Sequence, residues 1–188
     1  MALICLMSGC GGTHSIGKVS PSVPVRGTPS PPTPLSGPTT DVNEPPVRPE
    51  ALDGTPSKEA AVALARYYMA LHVYAFQTGR TAPLRDISGE GCRFCADDVA
   101  AVNEIYGAGR HESGGDLTVT TVTALELAPG ASWLVNATAQ ESPTTVINAL
   151  GKVVDGPTPF ATLTLRFVIR SKPTLHVEEI DATETPVR

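Results

Sequence analysis

Two cysteines spaced three residues apart are the side chains in this sequence best suited to chemistry. Cys92 and Cys95 enclose Arg93 and Phe94, at the predicted start of a helix. Thiols at this spacing can form a disulfide, and a helix N-terminus lowers the pKa of a thiol. The pair therefore allows three interpretations: a disulfide that fixes the start of the helix, a thioredoxin-like redox pair, or half of a zinc site.

The surroundings of the pair favour the disulfide. A thioredoxin-like motif directly follows a strand of a βαβ unit, whereas a predicted helix and a glycine-containing loop precede Cys92. A structural zinc site needs four ligands. The other two cysteines, Cys5 and Cys10, lie in a predicted N-terminal export signal, so the exported chain would have no second cysteine pair. We therefore expect a disulfide between Cys92 and Cys95, which an oxidising compartment would preserve, and no metal site.

The start of the chain has the pattern of a lipoprotein signal. Its short apolar run ends in Leu6-Met7-Ser8-Gly9-Cys10, where small residues precede a thiol that can receive a diacylglycerol. We expect residues 1–9 to be removed as a signal peptide and Cys10 to be lipidated. Secretory signals carry a basic n-region, and no Lys or Arg precedes this apolar run. The true start codon is therefore expected to lie upstream.

Residues 10–56 are predicted to be a disordered tether. Most of the 18 prolines lie between Pro21 and Pro56, among serine, threonine and glycine. Such a segment cannot bury enough apolar surface to offset the entropy lost on ordering, and proline biases it toward extended polyproline II. The predicted location is the extracytoplasmic face of the cell membrane, with the membrane contacted through the lipid anchor.

Charge and hydropathy limit the classes of partner. The formal net charge of −5 gives no reason to expect a nucleic-acid partner. The sequence has no apolar run long enough to predict a transmembrane helix. It also lacks a recognisable Ser-His-Asp arrangement, phosphate-binding glycine loop or metal-ligand cluster. We therefore predict no cofactor and no catalytic residue.

Residues 57–188 are predicted to fold as one α+β domain. Helical periodicity covers 60–77, 82–87 and 93–106, with Ser57 as N-cap and Gly79 as the stop of the first helix. Runs rich in β-branched residues then predict strands over 117–127, 132–141, 144–148, 161–169 and 175–180. Helices first and strands afterwards indicate helices packed on one face of an antiparallel sheet of about five strands.

Five short motifs mark the predicted domain. They are Tyr67-Tyr68, Tyr74-Ala75-Phe76-Gln77-Thr78-Gly79, Pro83-Leu84, Gly91-Cys92-Arg93-Phe94-Cys95 and Val177-Glu178-Glu179-Ile180. With these motifs and this order of elements, the domain resembles the SnoaL-like cone of the nuclear-transport-factor-two-like superfamily. It is most similar there to a family of actinobacterial lipoproteins built on a domain of unknown function. The resemblance implies an anchored extracytoplasmic domain and implies no activity.

Cone folds of this kind sometimes hold a carboxylate base that faces a tyrosine donor. The candidate carboxylates are Asp97, Asp98 and Glu104, and the candidate donors are Tyr67, Tyr68, Tyr74 and Tyr106. We expect Tyr67, Tyr74 and Tyr106 to line a cavity. A helix dipole also accounts for carboxylates in a first turn. His72 is expected to be a partly buried residue with its hydrogen bonds satisfied, and His111 and Glu112 are expected in a solvated loop.

Together these observations favour a non-catalytic domain at the cell envelope, which binds an envelope protein or a small ligand. Two alternatives from other classes stay open. One is a small cone-fold enzyme with a carboxylate and tyrosine site. The other is a thiol-disulfide helper that uses Cys92 and Cys95.

Overall fold

A long helix, α1 (Lys58–Thr78), crosses the folded part in the computed structural model, which describes residues 43–187. Ser57 caps its N-terminus, where the side-chain hydroxyl accepts a hydrogen bond from the backbone N–H of Ala60 at 3.1 Å. Gly79 ends it with a φ of 76°, in the left-handed region that favours glycine. Both predicted ends of this helix are confirmed.

Two shorter helices follow α1. They are α2 (Ala82–Asp86) and α3 (Arg93–Gly107), each within one residue of its predicted bounds. Cys92 is the N-cap of α3, and its Sγ accepts a hydrogen bond from the backbone N–H of Cys95 at 3.3 Å. The loop before α3 is fixed to the last strand, because the N–H of Gly89 donates to the carbonyl oxygen of Val177 at 2.7 Å.

Seven strands follow in the part of the chain that the structure describes. They are β1 (Arg110–Gly114), β2 (Leu117–Ala128), β3 (Ser132–Glu141), β4 (Thr144–Asn148), β5 (Val153–Asp155), β6 (Ala161–Arg170) and β7 (His176–Pro186). They form two antiparallel sheets, one in the order β2-β3-β6-β7 and one in the order β1-β4-β5. The α+β class is therefore confirmed, whereas the prediction of one sheet of about five strands is wrong.

Strands β1 to β4 form one bent antiparallel ribbon that contributes to both sheets. β1 leads into β2 and β3 leads into β4, while β1 pairs with β4 and β2 pairs with β3. The bend lies at Gly114 and Gly115, where φ is 88° and 73°, and a Cβ at Gly114 would collide with the carbonyl oxygen of Pro143. His111 and Glu112, which follow glycines and were expected in a solvated loop, lie in β1.

The helices cover one face of the four-stranded sheet, and the core lies between them. The inward row of β3 is Trp133, Val135, Ala137 and Ala139, and that of β6 is Leu165, Phe167 and Ile169. From the helices, Leu64 and Leu71 of α1, Leu84 of α2 and Val102 of α3 are buried against these rows. Alternate residues of a strand share a face, so these rows fix which side chains face the helices.

The segment that precedes α1 also belongs to the fold. Residues 43–56 contain a 3-10 helix, Glu50–Leu52, and the side chain of Leu52 packs against the core. Nη1 of Arg80 donates a hydrogen bond to the carbonyl oxygen of Asn43 at 2.7 Å. The prediction of a disordered tether up to Pro56 is therefore corrected for residues 43–56, because an apolar anchor and a charged donor fix this stretch.

The predicted signal peptide, Cys10 and most of the predicted tether lie outside the described residues. Within residues 43–187, no helix has both the length and the hydropathy needed to cross a membrane.

Candidate functional site

A cavity of about 310 Å³ lies between the helices and the four-stranded sheet. Most of its wall is apolar and includes Met69, Phe94, Leu163, Leu165, Phe167 and Ile180. Four polar side chains complete the lining: Tyr68, His72, Glu141 and Glu184. An apolar cavity of this size with a few polar groups is typical of small-molecule sites.

Three polar residues form a buried hydrogen-bonded cluster at the helical wall of the cavity. Oδ2 of Asp98 accepts a hydrogen bond from Oη of Tyr68 at 2.8 Å and lies 2.9 Å from Nδ1 of His72. Tyr68 and His72 are four residues apart on α1 and therefore share one face, while α3 supplies Asp98. A carboxylate only accepts hydrogen bonds, so Nδ1 of His72 is the donor to it.

Within this Tyr68–Asp98–His72 cluster, one carboxylate oxygen of Asp98 engages both other residues. Asp98 is 8% exposed, and both donors that it needs come from α1. Burial raises the pKa of Tyr68 far above its ordinary value, and the adjacent Asp98 carboxylate raises it further, so Tyr68 stays protonated and continues to donate. The expectation that His72 is partly buried and hydrogen-bonded is confirmed.

Two glutamates form what we call the acidic rim of the cavity, Glu141 and Glu184. Glu141 ends the inward row of β3 and is partly buried, whereas Glu184 lines the cavity from the exposed end of β7, on the same side of the strand as Ile180 and Ala182. Strand pairing sets Glu141 opposite Ala161 and Glu184 opposite Leu163 of β6. The two carboxylates therefore flank β6 from its two sides.

The rim is electrostatically negative. Burial raises the pKa of Glu141, with His72 opposing the rise and Glu184 adding to it. Burial also raises the pKa of Glu112, again with His72 opposing and Glu141 adding. The prediction of a solvated loop at Glu112 is wrong, because this residue is partly buried in β1. Neither Lys nor Arg is among the residues that line the cavity in the described part of the chain.

The raised pKa of Glu141 predicts a dependence of stability on pH. Ionisation of Glu141 is less favourable in the folded protein than in the unfolded chain. The free energy of unfolding therefore falls as the pH rises from the ordinary pKa of 4.5 through the raised pKa of the folded state. Glu141→Gln is expected to raise the free energy of unfolding by about 0.5 kcal/mol near neutral pH, and to leave it unchanged in acid. Urea unfolding at both pH values measures this.

The matched control is Glu179→Gln, because Glu179 is exposed on the outer face of β7. It should change stability at neither pH. Lower stability of Glu141→Gln near neutral pH would contradict the raised pKa.

The predicted disulfide between Cys92 and Cys95 is present in the structure. Both cysteines are 2% exposed and belong to the core beside α3. A thiolate attacks a disulfide through direct access to a sulfur atom. Their burial is therefore suited to a structural bond at the start of α3 and unsuited to thiol-disulfide exchange.

Removal of this disulfide is expected to lower stability moderately. The chain-entropy model gives about 2 kcal/mol for a loop this short, so Cys92→Ser combined with Cys95→Ser should lose about that much. Urea unfolding with and without a reductant measures the loss, and the reductant should affect the wild type alone. Equal stability of the oxidised wild type and the double variant would contradict the prediction.

The three tyrosines expected in the cavity lie elsewhere, and Tyr68 lines it instead. Oη of Tyr74 accepts a hydrogen bond from Nη1 of Arg80 at 3.2 Å, and Oη of Tyr106 donates to the carbonyl oxygen of Phe76 at 3.1 Å. Tyr67 is partly buried beside the core. Successive residues on a helix are turned by about 100°, so Tyr67 and Tyr68 cannot face the same side.

The other predicted carboxylates are solvent-exposed. The side chain of Asp97 is 75% exposed and lies 3.9 Å from Arg93, and Glu104 is exposed on the same helix. Asp98 is buried because it shares a helical face with the buried Cys95 and Val102. Within residues 43–187, no group of three His, Cys, Asp or Glu side chains is arranged to hold a metal ion.

The acidic rim was missed in the sequence, although a signal for it was present. The alternation that starts at Trp133 continues without a break to Glu141. A period of two over ten residues places Glu141 on the inward face. Counting every second residue from Ile180 through Ala182 places Glu184 on the cavity side of β7, where it is exposed to solvent.

Comparison with solved structures gives similarity in fold. The intermembrane-space region of the chloroplast protein ARC6 aligns with a TM-score of 0.50 and 19% identity, over 69% of this chain and 98% of that one. A structure from Catenulispora acidiphila aligns with a TM-score of 0.44, 15% identity and coverage of 68% and 94%. A second from that organism, in complex with S-DNPA, has a TM-score of 0.41, 12% identity and coverage of 67% and 94%. None of the curated proteins compared with the chain matches it.

Comparison with protein families gives a match over most of the chain. The profile described as "Family of unknown function (DUF6318)" matches residues 32–162. This range includes α1, the disulfide and the Tyr68–Asp98–His72 cluster. Because the match covers more than half of the sequence, the chain belongs to the family of unknown function DUF6318.

Proposed function

We propose that this protein is a lipid-anchored extracytoplasmic lipoprotein whose folded domain binds a small, mainly apolar molecule without transforming it. The observation that carries the proposal is the cavity of about 310 Å³ between the helices and the four-stranded sheet. Burial of apolar ligand surface against Phe94, Leu117 and Leu163, the partly exposed apolar residues of the lining, would supply the driving force for binding. A mixed fold that encloses such a cavity also supports membership of the SnoaL-like superfamily.

The hydrogen bond between Tyr68 and Asp98 supports a binding role over catalysis by a carboxylate and a tyrosine. In a carboxylate and tyrosine enzyme, the tyrosine hydroxyl must be free to donate to the substrate. Here Oη of Tyr68 donates to Asp98, whose Oδ2 is also bound by Nδ1 of His72. Neither Tyr68 nor Asp98 is therefore free to act on a bound molecule.

The anchor is proposed from the N-terminal sequence. Small residues before Cys10 are suited to a lipoprotein signal peptidase, and the proline-rich residues that follow would hold the domain away from the membrane. Mass spectrometry of the N-terminal peptide from membranes should find diacylglycerol on Cys10. A Cys10→Ala variant should be released into the soluble fraction. An unmodified Cys10 in the mature wild type would contradict the anchor.

Binding is tested by filling the cavity. Naphthylmethanol, a neutral apolar probe, should bind the wild type in calorimetric titration, and Leu163→Trp should abolish binding because residue 163 lines the cavity. The control is Leu125→Trp, which makes the same change at a side chain 62% exposed on β2. Equal binding to both variants, or none to the wild type, would contradict the proposal.

A second candidate function is acid–base catalysis by His72. Its Nδ1 is held by Asp98 while its ring lines the cavity, and a carboxylate-oriented imidazole can act as a general base through its other nitrogen. The test is exchange of α-deuterium into acetonaphthone, an apolar ketone, in heavy water. If the wild type accelerates this exchange and the His72→Gln variant does not, the result would favour an enzyme over a binding domain.

A further inference from the structure

We infer that the ligand is an organic cation, an ammonium group attached to an aromatic or aliphatic body, with the ammonium held between Glu141 and Glu184. The inference rests on the proposed binding function and names the class of molecule that the cavity selects. It follows from the placement of charge around the cavity.

The charges that face the cavity are unbalanced. Glu141 and Glu184 contribute two carboxylates to the lining, and His72, the basic residue of the lining, is engaged by Asp98. No Lys or Arg is present among the lining residues of the described chain. An anionic ligand would therefore meet repulsion at the rim, whereas a cation would receive charge-assisted hydrogen bonds.

The position of the two carboxylates is suited to one shared ammonium group. Glu141 lies on β3 and Glu184 on β7, the two neighbours of β6. Strands two apart in a sheet are separated by about 10 Å, and the two-residue stagger along β6 brings the distance between the two Cα atoms to about 12 Å. Two extended glutamate side chains can reach one cation across that distance. Ala161 and Leu163 of β6 lie between them and carry no competing charge.

The walls below the rim are suited to the rest of such a ligand. Phe94 contributes a partly exposed aromatic ring to the cavity, and aromatic rings attract ammonium groups. The raised pKa of Glu141 gives further support. Burial makes the ionised form of Glu141 costly, and a bound cation would give it a partner.

The test uses three probes with the same aromatic body and different charge. Naphthylmethylammonium, naphthylmethanol and naphthoate are each titrated calorimetrically into the wild-type protein. The cation is expected to bind about tenfold more tightly than the neutral probe, and the anion most weakly. The Glu141→Gln, Glu184→Gln double variant should lose the preference for the cation over the neutral probe.

A matched control is the Glu179→Gln, Asp181→Asn double variant, which removes two charges from the outer face of β7. It should keep the preference for the cation. Binding of the neutral probe with no preference for the cation would overturn this inference and leave the proposed function standing. Failure of all three probes to bind would overturn both. A preference retained in the rim variant would overturn the role of Glu141 and Glu184.

Discussion

Phe167→Ala is expected to lower the free energy of unfolding by about 3–5 kcal/mol. Phe167 is fully buried in the inward row of β6, and its ring meets that of Tyr68 edge to face at 5.8 Å and 68°. Truncation removes this contact and leaves a void beside the cavity. Domains of this size have a total stability of about 5–15 kcal/mol, so the loss would be a large fraction. Urea unfolding followed by the fluorescence of the buried Trp133 measures it.

The matched control is Phe160→Ala. Phe160 precedes the same strand and is 58% exposed, so the same chemical change there should alter stability by less than about 0.5 kcal/mol. Equal losses from the two variants would contradict the assignment of Phe167 to the core.

Asp98→Ala is expected to lower the free energy of unfolding by about 3 kcal/mol. Its carboxylate is the hydrogen-bond partner of both Tyr68 Oη and His72 Nδ1, and the residue is 8% exposed. Its removal leaves the buried hydroxyl of Tyr68 without an acceptor. The free energy of desolvating this hydroxyl is then no longer offset by a hydrogen bond. The same urea titration gives the loss, and the fluorescence of Trp133 is again the signal.

Asp97→Ala provides the comparison for this second variant. Asp97 occupies the adjacent position of α3 with its side chain 75% exposed, in an ion pair of 3.9 Å with Arg93. Surface pairs contribute less than about 1 kcal/mol, so Asp97→Ala should change stability little. A loss from Asp98→Ala no larger than that from Asp97→Ala would contradict the buried cluster.

The ends of the helices could be predicted because local chemistry determines them. The hydroxyl of Ser57 accepts from a backbone N–H three residues ahead, and Gly79 adopts a left-handed conformation that other residues rarely adopt. Neither feature depends on distant parts of the chain. The bounds of α1 and α3 were therefore predicted to within a few residues.

The division into two sheets could not be predicted in the same way. It depends on Gly114 approaching Pro143, a residue distant in sequence. Alternation identifies a strand, and it does not give the strand's partner or the position of a bend. β5 has only three residues, all exposed, which leaves no periodic pattern to detect.

The candidate site was partly predictable. The spacing of Tyr68 and His72 on α1 indicates a shared face, and the position of Asp98 relative to Cys95 and Val102 indicates an inward side chain. Their contact depends on how α1 and α3 pack, which spacing alone does not determine. Tyr67, Tyr74 and Tyr106 do not line the cavity, and the hydroxyls of Tyr74 and Tyr106 are bonded to Arg80 and to the carbonyl oxygen of Phe76. Helical spacing does not reveal these partners.

The most direct test of ligand binding is to locate a bound probe by NMR. Titration of the isotope-labelled protein with naphthylmethylammonium should shift the signals of Tyr68 and His72 of α1, the inward residues of β6 and Glu184 of β7 most strongly. The same titration of Leu163→Trp should shift none of them. Shifts confined to the surface groove beside Glu90 and Lys172, or the same shifts in Leu163→Trp, would contradict a binding site inside the cavity.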